Sequence, residues 1–129
     1  EGPQWAQRKI RQLRRQTKKP IWYKFKPGRP PDPVPADKIV GGDIFDVLPK
    51  VSMVVCRHSN VAVDATFMGV PVVCEDGAGA AIYPKSFWGQ QPSYQTRVDF
   101  LHNLAWWQWS TNEIRTGDFW RWVRQWLED

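Results

Sequence analysis

Two short apolar runs, joined by a segment of small residues, constrain the fold of this chain most strongly. Residues 51–56 and 70–74 are rich in valine, and neither run has a polar face. Strands of this kind are covered on both sides, as in parallel sheets. Residues 61–68 between them have the length of a short helix, which Ser59 or Asn60 can cap and which Gly69 and Pro71 bring to an end. The pattern predicts a strand–helix–strand crossover with parallel strands.

The same alternation extends along the whole chain. Apolar residues at helical spacing, Ala6, Ile10 and Leu13, predict an amphipathic first helix. The predicted helices are 4–17, a short one capped by Asp43 and ending near Pro49, 61–68, 97–109 and one from Asp118; the predicted strands are 21–26, 38–40, 51–56 and 70–74, with a proline-rich loop at 27–37. We therefore expect one α/β domain over residues 1–129, a Rossmann-like open parallel sheet flanked by helices.

The positive charge is concentrated at the beginning of the chain. The net charge is +5. Residues 1–29 carry one acid, Glu1, against Arg8, Lys9, Arg11, Arg14, Arg15, Lys18, Lys19, Lys24, Lys26 and Arg29. A basic helix of this kind predicts an anionic partner, such as nucleic acid or another polyanion.

Cysteine content and hydropathy bear on the compartment. The two cysteines, Cys56 and Cys74, lie inside the apolar runs. They predict buried, reduced thiols and a cytoplasmic protein rather than a disulfide framework. The sequence contains no run of about 18 apolar residues, so it predicts no membrane-spanning helix. The chain begins without Met, so a piece of a longer protein is one interpretation and a trimmed chain is the other.

Polar side chains follow the predicted strands at the points where they end. Arg57, His58, Ser59 and Asn60 follow the run at 51–56, and Lys26 is the last residue of the strand at 21–26. Ligands of open α/β sheets bind at such strand ends. The N-terminus of the helix at 61–68 adds amide groups that favour an anion. These residues predict a phosphate or diphosphate site, whereas the alternative makes Ser59 a helix cap and His58 a loop residue.

Acidic residues at the same edge are candidates for binding ribose or a sugar. Glu75 and Asp76 follow the run at 70–74 and can accept hydrogen bonds from hydroxyl groups. Asp64 lies just inside the helix at 61–68. It either faces a sugar hydroxyl or complements the helix dipole.

Other site chemistries fit the sequence less well. Cys56, His58 and Cys74 contain ligand types for zinc, but no second closely spaced pair accompanies them. We expect no metal. The glycine-rich dinucleotide and phosphate loops are missing, as is the Gly-x-Ser-x-Gly elbow of hydrolases.

Tryptophan is concentrated near the C-terminus. The chain has nine tryptophans, and this region holds Trp106, Trp107, Trp109, Trp120, Trp122 and Trp126. These rings either seal a small core or a domain contact, or form a stacking platform for a sugar or base. The helical spacing of Phe119, Trp122, Val123 and Trp126 favours the first interpretation.

Residues 57–65 (RHSNVAVDA) and 69–76 (GVPVVCED) resemble the C-terminal, nucleotide-binding half of two-domain GT-B glycosyltransferases. They are most similar to the capsule-polysaccharide and related bacterial or phage transferases, and sugar-nucleotide epimerases share the same half. The resemblance implies a nucleotide-sugar substrate, with phosphate at residues 57–60 and the ribose or sugar at Glu75 or Asp76. It implies no required metal or other cofactor.

The resemblance also implies that an N-terminal acceptor domain supplies the catalytic base. This chain would then bind the donor without turning it over alone. The rival interpretations are a non-catalytic nucleotide-binding module and a nucleic-acid-binding module that uses the basic helix. A phage enzyme that glycosylates DNA bases would combine a donor site with a nucleic-acid site.

Overall fold

The structure is a computed structural model that describes residues 3–26, 28, 33–58, 60–107, 121 and 124. The chain divides into two compact units, Glu1–Pro92 and Ser93–Asp129. The elements are α1 (Pro3–Gln16), β1 (Trp22–Lys24), β2 (Lys38–Val40), α2 (Ile44–Val47), a 3₁₀ turn (Leu48–Lys50), β3 (Val54–Cys56), α3 (Val61–Met68), β4 (Val72–Cys74), a second 3₁₀ turn (Ala78–Ala81) and α4 (Tyr94–Trp107). This order confirms the predicted α/β class.

The strands pair in parallel, as predicted, but in two separate sheets. Trp22–Lys24 aligns with Lys38–Val40, and Val54–Cys56 aligns with Val72–Cys74. Among the described residues these are two-stranded sheets of three-residue strands, not the continuous open sheet expected from the sequence. The reason is that side chains rather than backbone hydrogen bonds join the pairs. Val55 of β3 packs against a buried cluster of Ile10, Leu13 and Ile21.

Helix α1 packs by the apolar stripe that its sequence predicts. Ala6, Ile10 and Leu13 are buried, while Arg8, Arg11 and Arg15 are exposed. The helical hydrogen-bond pattern reaches Thr17, whose amide donates to the carbonyl of Leu13 at 2.9 Å. The helix thus attaches to the first unit by one face and leaves a basic face in solvent.

The main core of the first unit surrounds α3. Leu48, Cys56, Ala62, Ala65, Val72, Cys74 and Tyr83 form one buried cluster. Small side chains let neighbouring backbones approach α3 closely, since a Cβ added to Gly79 would lie 2.6 Å from that of Ala62. Inside this core, the hydroxyl groups of Thr66 and Tyr83 hydrogen-bond at 2.6 Å. The core therefore fixes α3 against the β3–β4 pair.

The predicted ends of the short helices are largely confirmed. Asp43 caps α2, because its carboxylate accepts a hydrogen bond from the Phe45 amide at 2.9 Å. Gly69 ends α3 in the left-handed conformation, with φ of 75°. A left-handed residue there satisfies the last carbonyl groups of a helix, and glycine adopts it at the lowest cost.

In the second unit, α4 starts at Tyr94 rather than at Arg97. The hydroxyl of Ser93 accepts a hydrogen bond from the Thr96 amide at 3.2 Å, so Ser93 acts as the cap. Phe100 is buried and Leu101 and Leu104 are half-buried. The predicted helix from Asp118 and the side chains of the tryptophan cluster lie outside the described residues. None of the described helices combines the length and the apolar character that crossing a bilayer requires.

Candidate functional site

The polar segments that follow β3 and β4 lie side by side, as the parallel arrangement predicts. The amide of Glu75 donates to the carbonyl of Cys56 at 3.2 Å, and the amide of Asp76 donates to the carbonyl of Arg57 at 2.6 Å. These bonds continue the strand pairing past Cys56 and Cys74. We call residues 57–60 and 75–77 the strand-end edge.

Gly77 brings the two halves of the strand-end edge into contact. Its φ is +76°, and a Cβ at this position would lie 3.2 Å from Cα of His58. The preceding carboxylate of Asp76 accepts a hydrogen bond from the Gly77 amide at 2.7 Å. A side chain at position 77 would therefore force the His58 backbone away from the edge.

The N-terminus of α3 lies at this edge, and one of the two predicted caps, Asn60, is found at its N-cap position. Asn60 occupies the N-cap position with helical φ and ψ of −64° and −7°, and its side chain makes no capping hydrogen bond. Its backbone carbonyl accepts a bond from the Val63 amide at 3.0 Å. Arg57, His58 and Asn60 are exposed. Ser59, the other predicted cap and phosphate ligand, lies outside the described residues.

Glu75 is bound by α1, a contact that the sequence does not reveal. One carboxylate oxygen lies 2.5 Å from Nζ of Lys9, and the other accepts a 3.0 Å hydrogen bond from the indole nitrogen of Trp5. Partial burial alone would raise the pKa of this carboxyl. The hydrogen bonds from Lys9 and Trp5 outweigh it, so the pKa of Glu75 lies below its ordinary value of 4.5. Glu75 therefore anchors α1 at the edge.

The other acidic candidates have different surroundings. Asp76 is exposed at the edge. Asp64 is half-buried on α3, and loss of hydration raises its pKa, with a further contribution from the charge of Asp43. Because Asp43 caps α2, Asp64 belongs to the region where α2 and α3 pack together.

Lys26 follows a strand of the other parallel pair. It is exposed, two residues beyond Lys24 at the end of β1. The prediction that it shares one edge with residues 57–60 depends on a continuous sheet. Among the described residues the two pairs are separate, so the sheet does not bring Lys26 to the strand-end edge.

A cleft of about 660 Å³ lies in the first unit between α1, β1 and the segment that precedes β3. Its aromatic lining consists of Trp5, Trp22, Tyr23, Phe87 and Trp88. Trp5 and Lys9 line this cleft and also bind Glu75, so the cleft adjoins the strand-end edge. The sequence feature that could have indicated this shared position is the spacing of Trp5 and Lys9, which are four residues apart and therefore neighbours on α1.

Several features of the edge favour an anionic ligand. The charge of Arg57 adds a small contribution to the lowered pKa of Glu75. Lys9 offsets the negative charge of Glu75. A neighbouring cavity of about 240 Å³ is lined by Trp5, Arg8, Lys9, Gln12 and Glu75. Among the described residues, no three His, Cys, Asp or Glu side chains are grouped closely enough to hold a metal ion.

The geometry thus combines a parallel strand pair, a helix N-terminus and basic side chains at one edge, with an aromatic cleft beside it. Comparison with protein-family models, with curated proteins and with solved structures finds no significant match to this chain.

Proposed function

We propose that this chain binds the diphosphate of a nucleotide sugar at the strand-end edge, as the donor-binding half of a GT-B glycosyltransferase. In this proposal β3, α3 and β4 form a Rossmann-like crossover. The observation that carries it is the contact between the segment after β3 and the segment after β4, beside the N-terminus of α3. Ligands of parallel α/β structures bind at such strand ends.

Phosphate binding follows from the charges and donors at this edge. Arg57 and His58 are exposed beside α3, whose amide groups and dipole favour a negative group. Lys9 offsets the charge of Glu75, so this carboxylate opposes an anion at the edge only weakly. Ser59 is assigned the same role from the sequence. These groups supply charge-assisted hydrogen bonds without a metal ion.

The rest of the nucleotide sugar extends from the edge in this proposal. The cleft, at about 660 Å³, has the size and aromatic lining of sites for small ligands. It can hold the base against Trp5 or Tyr23. Asp76 is the better of the two neighbouring acids for ribose or sugar hydroxyls, because Glu75 already binds Lys9 and Trp5.

The chemistry proposed for this half is stabilisation of the leaving nucleotide phosphate. Donors that are already oriented toward a developing negative charge contribute the most to such a step. The catalytic base and the acceptor site are assigned to a separate half of the enzyme, so the chain alone binds the donor without transferring the sugar.

Calorimetric titration with a panel of nucleoside diphosphates and their sugar conjugates tests this proposal. We expect one of them to bind with a Kd below about 1 mM, with the same Kd in the presence of EDTA. The Arg57→Gln/His58→Ala variant should weaken binding at least about tenfold, since charged hydrogen bonds are lost. Lys85→Gln changes an exposed lysine outside the edge and the cleft, and it should leave the Kd unchanged. Absence of binding by the entire panel would refute the proposal.

A further inference from the structure

The basic residues of α1 fall into two groups, according to whether an acid binds them. Lys9 pairs with Glu75 at 2.5 Å, and Arg14 pairs with Asp37 at 2.8 Å. Arg14 also donates to the carbonyl of Pro35 at 2.8 Å. These two cations are used to hold α1 against the rest of the first unit.

Arg8, Arg11 and Arg15 form the second group, which we call the arginine face. All three side chains are exposed. At 100° per residue, they fall within roughly 60° of one another around the helix axis, on the side opposite the buried stripe. Within the part of the chain that the structure describes, no acid pairs with them.

The fixed attachment of α1 makes the arginine face rigid. The buried stripe of Ala6, Ile10 and Leu13 sets the rotation of the helix about its axis. The ion pairs of Lys9 and Arg14 lie on either side of that stripe and resist rolling. The arginines therefore point away from the protein before any partner arrives, which reduces the ordering cost of binding.

We propose that the arginine face binds the phosphate backbone of a nucleic acid. From Arg8 to Arg15 the helix rises about 10.5 Å, at 1.5 Å per residue. Successive phosphates of one strand of a duplex are separated by about 3.4 Å along its axis, so this length spans about three phosphate-to-phosphate steps. Guanidinium groups donate paired hydrogen bonds to phosphate oxygens and keep their charge at every physiological pH.

The same face does not have the character of a membrane-binding helix. Helices that lie on membranes insert an apolar face between the lipids. In α1, Ala6, Ile10 and Leu13 are buried in the first unit and Trp5 is half-buried, so the outer face consists of charged and polar side chains. The partner that fits best is a polyanion with regularly spaced charges.

Fluorescence anisotropy with a labelled 20-base-pair duplex, and separately with a 20-nucleotide single strand, tests the proposal. Measured between about 25 and 200 mM salt, log K should fall with log[salt] with a slope of about −2.7 for duplex and about −2.1 for single strand. The Arg8→Gln/Arg15→Gln variant should reduce the steepness by nearly two for duplex. Glutamine has good helix propensity, so this variant is expected to fold, which circular dichroism can verify.

Two control variants separate the arginine face from net charge. Lys38→Gln/Lys85→Gln removes the same charge from exposed sites outside α1 and should leave the slope nearly unchanged. Arg8→Lys/Arg15→Lys keeps the charge and should retain the slope. If Lys38→Gln/Lys85→Gln reduced the salt slope as much as Arg8→Gln/Arg15→Gln does, the proposal would be overturned. Absence of measurable nucleic-acid binding at 25 mM salt would overturn it as well. Binding to vesicles with anionic lipid but not to either oligonucleotide would overturn it too.

The nucleic-acid test is independent of the donor-site proposal. Arg57→Gln/His58→Ala should leave the salt slope intact, because these residues lie outside the arginine face. If that variant removes oligonucleotide binding while Arg8→Gln/Arg15→Gln does not, the strand-end edge binds the phosphates and the arginine face has no role.

Discussion

At the scale of single residues, Glu75 connects the strand-end edge to α1. Its two oxygens bind two side chains from different turns of the same helix, Lys9 and Trp5. The side chain of Glu75 is 32% exposed and that of Lys9 is 15% exposed. Loss of hydration at this partly shielded pair opposes its attraction, and the hydrogen bonds that Glu75 accepts outweigh that cost. One carboxylate thereby joins two turns of α1 to the edge.

Replacing Glu75 with Gln should destabilise the first unit by about 1–2 kcal/mol at pH 7, since a charged hydrogen bond is lost. The folded-state pKa lies below 4.5, so the wild-type advantage is present above the unfolded pKa. It should disappear as pH falls through the folded value. Urea unfolding of both proteins from pH 7 down to pH 3 measures this convergence. Asp76→Asn, at an exposed neighbour, should cost less; a pH-independent Glu75→Gln effect would contradict the ion-pair role.

The buried hydroxyl pair of Thr66 and Tyr83 gives a second residue-scale prediction. The Thr66 hydroxyl also bonds the carbonyl of Ala62 at 2.6 Å. Thr66→Val and Tyr83→Phe should each cost about 1–2 kcal/mol, and the double variant should cost about 1 kcal/mol less than the two effects combined. Chemical denaturation of the wild type, the two single variants and the double variant gives the free energies of unfolding for this double-mutant cycle. Thr66→Ser keeps the hydroxyl and should retain most of the coupling, whereas strictly additive losses would show that the pair is not an energetic unit.

At the scale of elements, apolar runs and turn residues predict order and type but not every partner. The valine runs, Gly69 and Asp43 act through local chemistry, so β3, β4, the end of α3 and the cap of α2 follow from the sequence. Strand lengths do not, because only three residues in each run meet a neighbouring strand. The two strand pairs form separate sheets, and Val55 of β3 packs by its side chain against the cluster of Ile10, Leu13 and Ile21. The anchoring of α1 by Glu75 joins residues about 70 positions apart, which no local pattern encodes.

The second 3₁₀ turn packs so closely on α3 that Gly79 has no room for a side chain. Its added Cβ would lie 2.6 Å from that of Ala62 and 3.0 Å from Sγ of Cys74. Gly79→Ala should therefore destabilise the first unit by about 1–3 kcal/mol through overpacking.

Thermal unfolding of Gly79→Ala alone and with Ala62→Gly measures whether this close contact is the cause. The second change removes the clashing methyl group, so it should cost less in the Gly79→Ala background than in the wild type. Gly42→Ala is a useful comparison, since φ is +84° and the new methyl meets nothing within 4 Å. It should show the backbone cost alone, about 1 kcal/mol. Equal costs of Ala62→Gly in both backgrounds would contradict the packing argument.

At the scale of the whole molecule, the first unit contains both buried clusters of the described chain. Their members run from Ile10 to Phe87 and none comes from Ser93–Asp129. The strand-end edge, the cleft and the arginine face also lie within the first 92 residues. The features that carry both proposals therefore share one folding unit.

Residues 1–92 expressed alone should fold cooperatively and keep the binding properties of the full chain. A dispersed amide NMR spectrum and a single unfolding transition would be the measurements. The full chain, titrated in parallel with the same nucleotides and oligonucleotides, is the control. A fragment without dispersed resonances would instead support the interpretation that residues 1–129 are one domain.

Cys56 and Cys74 are free thiols that lie opposite each other on β3 and β4, and this position has a practical consequence. Both thiols are almost inaccessible, at 2% and 0% exposure, and Sγ of Cys74 donates to the carbonyl of Asp76 at 2.9 Å. Alkylation by iodoacetamide then requires the strands to separate locally, so the alkylation rate measures how often β3 and β4 open. A nucleotide that binds the strand-end edge, at a concentration of 100 times its Kd, should lower the alkylation rate by about 100-fold. The protein thus carries its own unlabelled reporter of whether, and how tightly, the edge is occupied.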